Sequence, residues 1–158
     1  TRYVAAHVAD GPCAVSVAIR LATDTDGPAI GKLFAEADLP DFQVDWAAPG
    51  IGGWWLVAEH EDGTIVGAIN VMASKPFGVV GDIVVAKSAR GRGEDGRGRL
   101  GLRPGAVGFT LYAMAFALLR RSGCQIAEGI TALPGLEKIL TRYGGVKVGD
   151  MAFYVRRL

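Results

Sequence analysis

The sequence predicts an α/β domain of the α+β type: a mixed, mostly antiparallel twisted sheet of six to seven strands with helices on both faces. Three observations carry this. Trp54-Trp55-Leu56-Val57-Ala58-Glu59 and Thr64-Ile65-Val66-Gly67-Ala68-Ile69-Asn70-Val71 flank Glu61-Asp62-Gly63, and an Asp-Gly between two apolar runs signals an antiparallel hairpin. A β-branched run, Ile83-Val84-Val85, leads through a Gly/Arg-rich loop into an uncharged run from Pro104 to Leu119 with the composition of a buried helix. Gln125 to Thr131 then reads as a strand again, so the helix between them is a crossover.

The remaining elements follow in order. Tyr3, Val4 and Val8 hint at an edge strand that Asp10-Gly11-Pro12 breaks, so residues 1–14 are expected to be an N-terminal extension and 15–158 a single domain. Val15 to Leu21 alternates as a strand, and Thr23-Asp24-Thr25-Asp26 supplies capping side chains ahead of Pro28. Ile30, Leu33, Phe34 and Ala37 recur at helical spacing and make one buried stripe. Residues 39–53, with Pro40, Phe42, Trp46 and Pro49, suit a short second helix and a loop. Lys75-Pro76 marks a turn, and Val79 to Ala86 makes a third meander strand. Leu136, Ile139, Leu140 and Tyr143 form the stripe of a helix that begins near Pro134 and ends at Gly144-Gly145. Met151 to Val155 closes the chain as a strand, with Arg156 and Arg157 after it.

Composition bounds the function. The chain has 158 residues, half of them hydrophobic, which is enough for one proper core. A net charge of +1 argues against a strongly basic nucleic-acid binder, although Arg90, Arg92, Arg97, Arg99 and Arg103 cluster locally. Cys13 and Cys124 fit neither a metal pattern nor a disulfide framework and read as small buried residues. The longest uncharged run falls short of the roughly 20 residues that span a bilayer, so no membrane partner is expected. The first residues lack the charged start and long apolar segment of a secretory signal, and the cytoplasm is the expected location.

Strand, glycine loop and helix in that order can bind an anion. Amides at a helix N-terminus are unpaired and carry the positive end of the dipole, and glycines let a phosphate approach them. Val85-Ala86-Lys87-Ser88-Ala89-Arg90-Gly91-Arg92-Gly93 resembles the acetyl-CoA motif of the GCN5-related N-acetyltransferase (GNAT) superfamily, in which a valine ending strand four precedes Arg-Gly-X-Gly at the head of helix three. Ala18-Ile19-Arg20-Leu21-Ala22-Thr23 with Asp26 is similar to the family's opening strand and helix cap, and Gly145-Val146-Lys147-Val148-Gly149 to the segment after helix four. The resemblance runs from about Val17 to Leu158.

The resemblance implies a sheet splayed between strands four and five and acetyl-CoA as the acyl donor; no His/Cys/Asp cluster in the sequence has metal-ligand spacing, so no metal is expected. The cofactor contacts would come from the backbone of Val84, Val85 and Ala86 and from Arg90, Gly91, Arg92, Gly93 and Gly96. It implies direct attack by a primary amine of a small molecule, peptide or protein on the thioester. Such attack needs a neutral amine, a donor for the oxyanion and a proton for the thiolate. Asp82 and Glu128 would face the splay as candidate bases, Glu59 lies at a hairpin end, and Tyr143 is the candidate proton donor. Phe42, Trp46 and Trp54 are the candidate substrate wall.

The chain departs from the family pattern in the loop. Asp95 stands where a small residue is expected, Gly96 comes one position late, and the ten residues from Glu94 to Arg103 look like an insertion. Gly101 to Gly108, with Pro104 in a first helical turn, is an alternative cradle. Two other functions therefore stay open at this point: a GNAT-fold coenzyme-binding or interaction module that has lost catalysis, and nucleic-acid contact through the Arg/Gly loop 90–103. Residues 1–14 and the terminal strand also offer edges through which a homodimer could pair.

Overall fold

The computed structural model describes residues 5–6, 17–37, 52–90, 107–130, 141, 144–147 and 153–158. Cys13, Phe42, Trp46, the loop residues 91–103 and Tyr143 lie outside the described residues.

Eight strands form one sheet: β1 (Ala5–Ala6), β2 (Val17–Leu21), β3 (Gly52–His60), β4 (Ile65–Ser74), β5 (Phe77–Val85), β6 (Ile126–Ile130), β7 (Val146–Lys147) and β8 (Phe153–Arg157). Their spatial order is β1-β2-β3-β4-β5-β6-β8-β7. The β5/β6 pair is parallel and every other pair is antiparallel. The mixed, mostly antiparallel sheet is the expected one. The count of eight among the described residues exceeds the expected six to seven because the two-residue edge strand β7 adds to the edge strand hinted at in residues 1–14, which appears as β1. Pairs that short leave no period in a sequence.

The hairpin forms where Asp62-Gly63 places it. His60 N–H donates to the Thr64 carbonyl at 2.8 Å, the Asp62 carboxylate accepts from Thr64 N–H at 2.8 Å, and Gly63 adopts φ 85°. β5 starts at Phe77, two residues before the expected Val79, and β8 runs on through Arg156 and Arg157. Both extensions have the same cause. Arg157 and Phe77 both pair with Ile126, so backbone pairing carries these strands beyond their apolar runs.

Helix α1 (Gly27–Glu36) covers one face of the sheet and α2 (Val107–Arg121) the other. Under α1, Ile30, Leu33 and Phe34 pack on Trp55, Val57, Ala68 and Val84, with Phe34 edge-on to Trp55 at 5.8 Å between ring centroids. Under α2, Leu111, Tyr112, Ala115, Phe116 and Leu119 pack on Val17, Ile19, Leu56, Ile69, Val71, Val80, Ile83, Val85 and Ala127. Successive residues of a strand point to opposite faces, which is why Val84 serves one cluster while Ile83 and Val85 serve the other.

Two glycines let α2 lie close on the sheet. A Cβ at Gly67 would sit 3.0 Å from Leu111 Cδ1 and 3.2 Å from Val107 Cγ1, and one at Gly78 would sit 2.5 Å from Leu119 Cδ2. Gly67 pairs with Val85, whereas Gly78 lies next to the start of β5. The helix therefore begins above the C-terminal end of β5 and runs back antiparallel to it. It ends at Gly123, φ 84°, whose N–H donates to the Arg120 carbonyl at 3.0 Å. Cys124 is buried, as expected, and its thiol donates to the Phe77 carbonyl at 3.2 Å. No helix among the described residues is long and apolar enough to cross a membrane.

Leu119 is fully buried, and its Cδ1 and Cγ would also lie 2.8 and 3.0 Å from a Cβ at Gly78. Gly78→Ala should therefore cost about 1–3 kcal/mol by overpacking, read as a lower urea midpoint at unchanged slope. A midpoint equal to that of the unsubstituted protein would show that α2 does not rest on Gly78.

Candidate functional site

The site starts where the described ladder between β5 and β6 ends. Its parallel ladder with β6 runs from Phe77↔Ile126 to Val80↔Gly129, after which Ile130 goes on to pair with Phe153 of β8. β5 continues to Val85 paired to β4. Just past Val80 the β4/β5 register shifts: Ile69 faces Ile83 and Val71 faces Val80, so Asn70 is opposed by both Gly81 and Asp82. Two residues against one make a bulge, which bends its strand and sharpens the local twist. A Cβ at Gly81 would lie 3.2 Å from Asn70 Oδ1, so glycine suits this close approach. The bulge coincides with the end of the described β5/β6 ladder, and the side of β5 beyond it is where the expected splay, or gap, falls, shifted by one strand number because β1 precedes it.

Backbone alternation decides which groups face the gap. Ala86 N–H donates to the Val66 carbonyl at 2.8 Å, and the Ala86 carbonyl accepts from Ala89 N–H at 2.9 Å. In an antiparallel ladder, residues two apart share a direction, so Val84 also directs its backbone groups at β4. Ile83 and Val85 direct theirs away from β4, into the gap. The expectation that Val84, Val85 and Ala86 all present free backbone groups is corrected accordingly. Val84 and the Ala86 N–H face β4, whereas Ile83 and Val85 face away from it, the Val85 carbonyl toward Arg90. A β-branched run carries no signal of which backbone direction belongs to which residue.

Arg90 lies at the rim of this gap. A 3₁₀ turn, Lys87–Ala89, follows β5 and brings the Arg90 side chain back, so that its Nε–H donates to the Val85 carbonyl at 2.8 Å.

Asp82, in the bulge, is exposed just beyond the last β5/β6 rung. Its negative charge acts on Tyr112, a buried phenol on α2 whose pKa is raised first by burial and second by Asp82. Tyr112 therefore keeps its proton to high pH. It sits within the uncharged run, where its spacing marks it only as core. Glu128 stands on β6, the strand on which it is expected. Its backbone pairs with Val79 and Val155, one rung before the last described rung, Val80↔Gly129, and its neighbour Ala127 packs in the core under α2. Trp54 packs against the core under α2, so its ring supports the sheet.

Glu59, the third candidate base, has a structural partner. Arg20 Nε donates to Glu59 Oε2, while Arg20 Nη1 and Nη2 donate to the two carboxylate oxygens of Asp26 at 2.7 and 2.9 Å. Asp26 Oδ2 also accepts from Thr23 N–H at 2.7 Å and Thr23 Oγ1 at 3.0 Å, closing a reciprocal cap at the entry to α1. This network joins β2, β3 and the start of α1. The hydrogen bond from Arg20 is the main reason that the Asp26 carboxyl lies at about 2, and the same bond pushes the Arg20 guanidinium further up. No group of three or more His, Cys, Asp or Glu among the described residues is placed to hold a metal ion.

The fold, a mixed sheet opened between two parallel strands under the start of a crossover helix, is that of the GCN5-related N-acetyltransferases. Solved structures align over most of the chain. A GCN5-related N-acetyltransferase from Kribbella flavida is 21% identical, with 90% of this chain and 98% of that one covered at a TM-score of 0.66. A GNAT family acetyltransferase from Brucella melitensis, solved in complex with acetyl-CoA, is 20% identical, with 90% and 88% covered at 0.62. A GNAT family N-acetyltransferase from Escherichia coli, solved in complex with CoA, is 16% identical, with 94% and 85% covered at 0.65. No protein-family model and no curated protein sequence matches the chain.

The Asp26 carboxyl has a folded-state pKa below its ordinary 3.8. Its contribution to stability is therefore complete above about pH 4 and is lost as pH falls through about 2. Asp26→Asn should lower unfolding free energy by about 1–3 kcal/mol near pH 7. That deficit should shrink in urea titrations at about pH 3, and a deficit independent of pH would refute the ionic role.

Proposed function

We propose that this chain is an acetyl-CoA-dependent N-acetyltransferase of the GNAT superfamily that acetylates a primary amine of a small molecule, peptide or protein. The carrying observation is the gap beyond Val80, into which Ile83 and Val85 turn their backbone groups beneath the start of α2. A strand edge open to a ligand fits an extended arm that bears amides, such as the pantetheine of coenzyme A, by strand-like pairing. The same fold holds acetyl-CoA in the Brucella melitensis enzyme.

In this reading Val85 and Ile83 hold the pantetheine, and Arg90, Gly91, Arg92, Gly93 and Gly96 hold the diphosphate near the α2 N-terminus. When bound, the coenzyme supplies an acetyl thioester. Asp82, at the mouth of the gap, takes the proton that the attacking amine must lose. It is preferred to Glu128 because it stands past the last rung and Glu128 does not, and to Glu59 because Glu59 is bonded to Arg20. Tyr143 is the proposed proton donor to the thiolate, and Phe42 and Trp46 the proposed substrate wall.

Titration calorimetry with acetyl-CoA tests the reading. Micromolar binding to the wild type that is lost in Gly93→Asp is expected, whereas binding that survives this substitution moves the cradle to Gly101–Gly108. Absence of binding to the wild type would sink the enzyme reading. Asp82→Asn should lower kcat about 100-fold while acetyl-CoA affinity holds, and unchanged turnover would remove Asp82 as the base.

A further inference from the structure

The Val85 carbonyl is the last acceptor that β5 directs into the gap, and it already has a partner. The Arg90 guanidinium reaches back over the Lys87–Ala89 turn and donates to it at 2.8 Å, on the side of β5 away from β4. The turn holds this arrangement in place, because Ala89 N–H donates to the Ala86 carbonyl at 2.9 Å. A pantetheine amide pairing with Val85 needs the position that the guanidinium now fills. Arg90 also immediately precedes Gly91-Arg92-Gly93, the segment proposed to hold the diphosphate. A guanidinium binds a phosphate oxygen more strongly than a neutral carbonyl, because both partners are then charged.

We propose that Arg90 determines donor specificity by exchanging partners. In the free protein it occupies the Val85 carbonyl, and it yields that acceptor when a diphosphate draws the guanidinium away. The site then selects complete coenzyme A thioesters over phosphate-free ones such as acetyl-pantetheine. This inference rests on the coenzyme reading given above and adds to it a coupling between the two halves of the donor. The coupling is reciprocal: a diphosphate favours pantetheine binding, and pantetheine favours diphosphate binding.

The test compares acetyl-CoA with acetyl-pantetheine by calorimetry on the wild type and on Arg90→Met, which keeps a long side chain and removes the donors. Arg90→Met should bind acetyl-pantetheine about fivefold more tightly, since the competing hydrogen bond is gone, and acetyl-CoA about tenfold more weakly, since a phosphate contact is lost. Loss of affinity for both ligands together, or no change in either, would overturn the exchange and leave Arg90 as a loop-positioning residue. A second measurement needs no variant. Inorganic pyrophosphate should tighten acetyl-pantetheine binding to the wild type by about fivefold, the release of the same hydrogen bond, and additive, uncoupled binding would overturn the proposal. A wild type that binds neither acetyl-CoA nor acetyl-pantetheine would instead overturn the coenzyme reading itself, and the exchange with it.

Discussion

Among the described residues, β5 pairs with both β4 and β6 over its first half and with β4 alone over its second. A buried strand ordinarily has no such freedom, because an unpaired backbone amide or carbonyl costs about as much as a lost hydrogen bond. Here the bulge at Gly81-Asp82 changes the twist where β6 departs, and the Val85 carbonyl finds a side-chain donor in Arg90. The gap, the direction of the backbone groups that line it and the exposure of Asp82 all depend on that local break in pairing.

The rest of the sheet keeps the break in one place. α2 rests on Gly67 near the end of β5 and on Gly78 near its beginning, so the helix start is fixed over the gap by packing at both ends of the strand. On the other face, α1 is fixed to β3, β4 and β5 by Phe34, Trp55 and their neighbours, and its entry is tied to β2 and β3 through Arg20, Asp26 and Glu59. That ion network takes Glu59 out of the pool of available carboxylates. Of the three carboxylates that resemble candidate bases in the sequence, Glu59 is bonded to Arg20, Glu128 stands within the β5/β6 ladder, and Asp82 lies beyond its last described rung.

Much of the fold is legible in the chain. Asp62-Gly63 between apolar runs marks the hairpin, the Thr23 to Asp26 cap marks the entry to α1, and the uncharged run through Leu119 marks the crossover helix. The edge strand hinted at by Tyr3, Val4 and Val8 appears as β1, whereas the two-residue strand β7 and the extension of β8 through Arg156 and Arg157 are not legible, since these exist only because a neighbouring strand supplies partners.

The sequence by itself determined the fold class, the place of the Gly/Arg loop at the end of a strand, and the residue types gathered there, because local propensity and hydrophobic period are properties of neighbouring residues. Only the tertiary structure decided the bulge at Asp82, the assignment of Val85 and Ile83 to the gap, the pairing of Glu128 within the ladder and the bond from Arg90 to Val85. Each of these is a matter of register between strands distant in sequence. A shift of one residue in register reverses every side chain and every backbone group that a strand presents, and no local pattern encodes it.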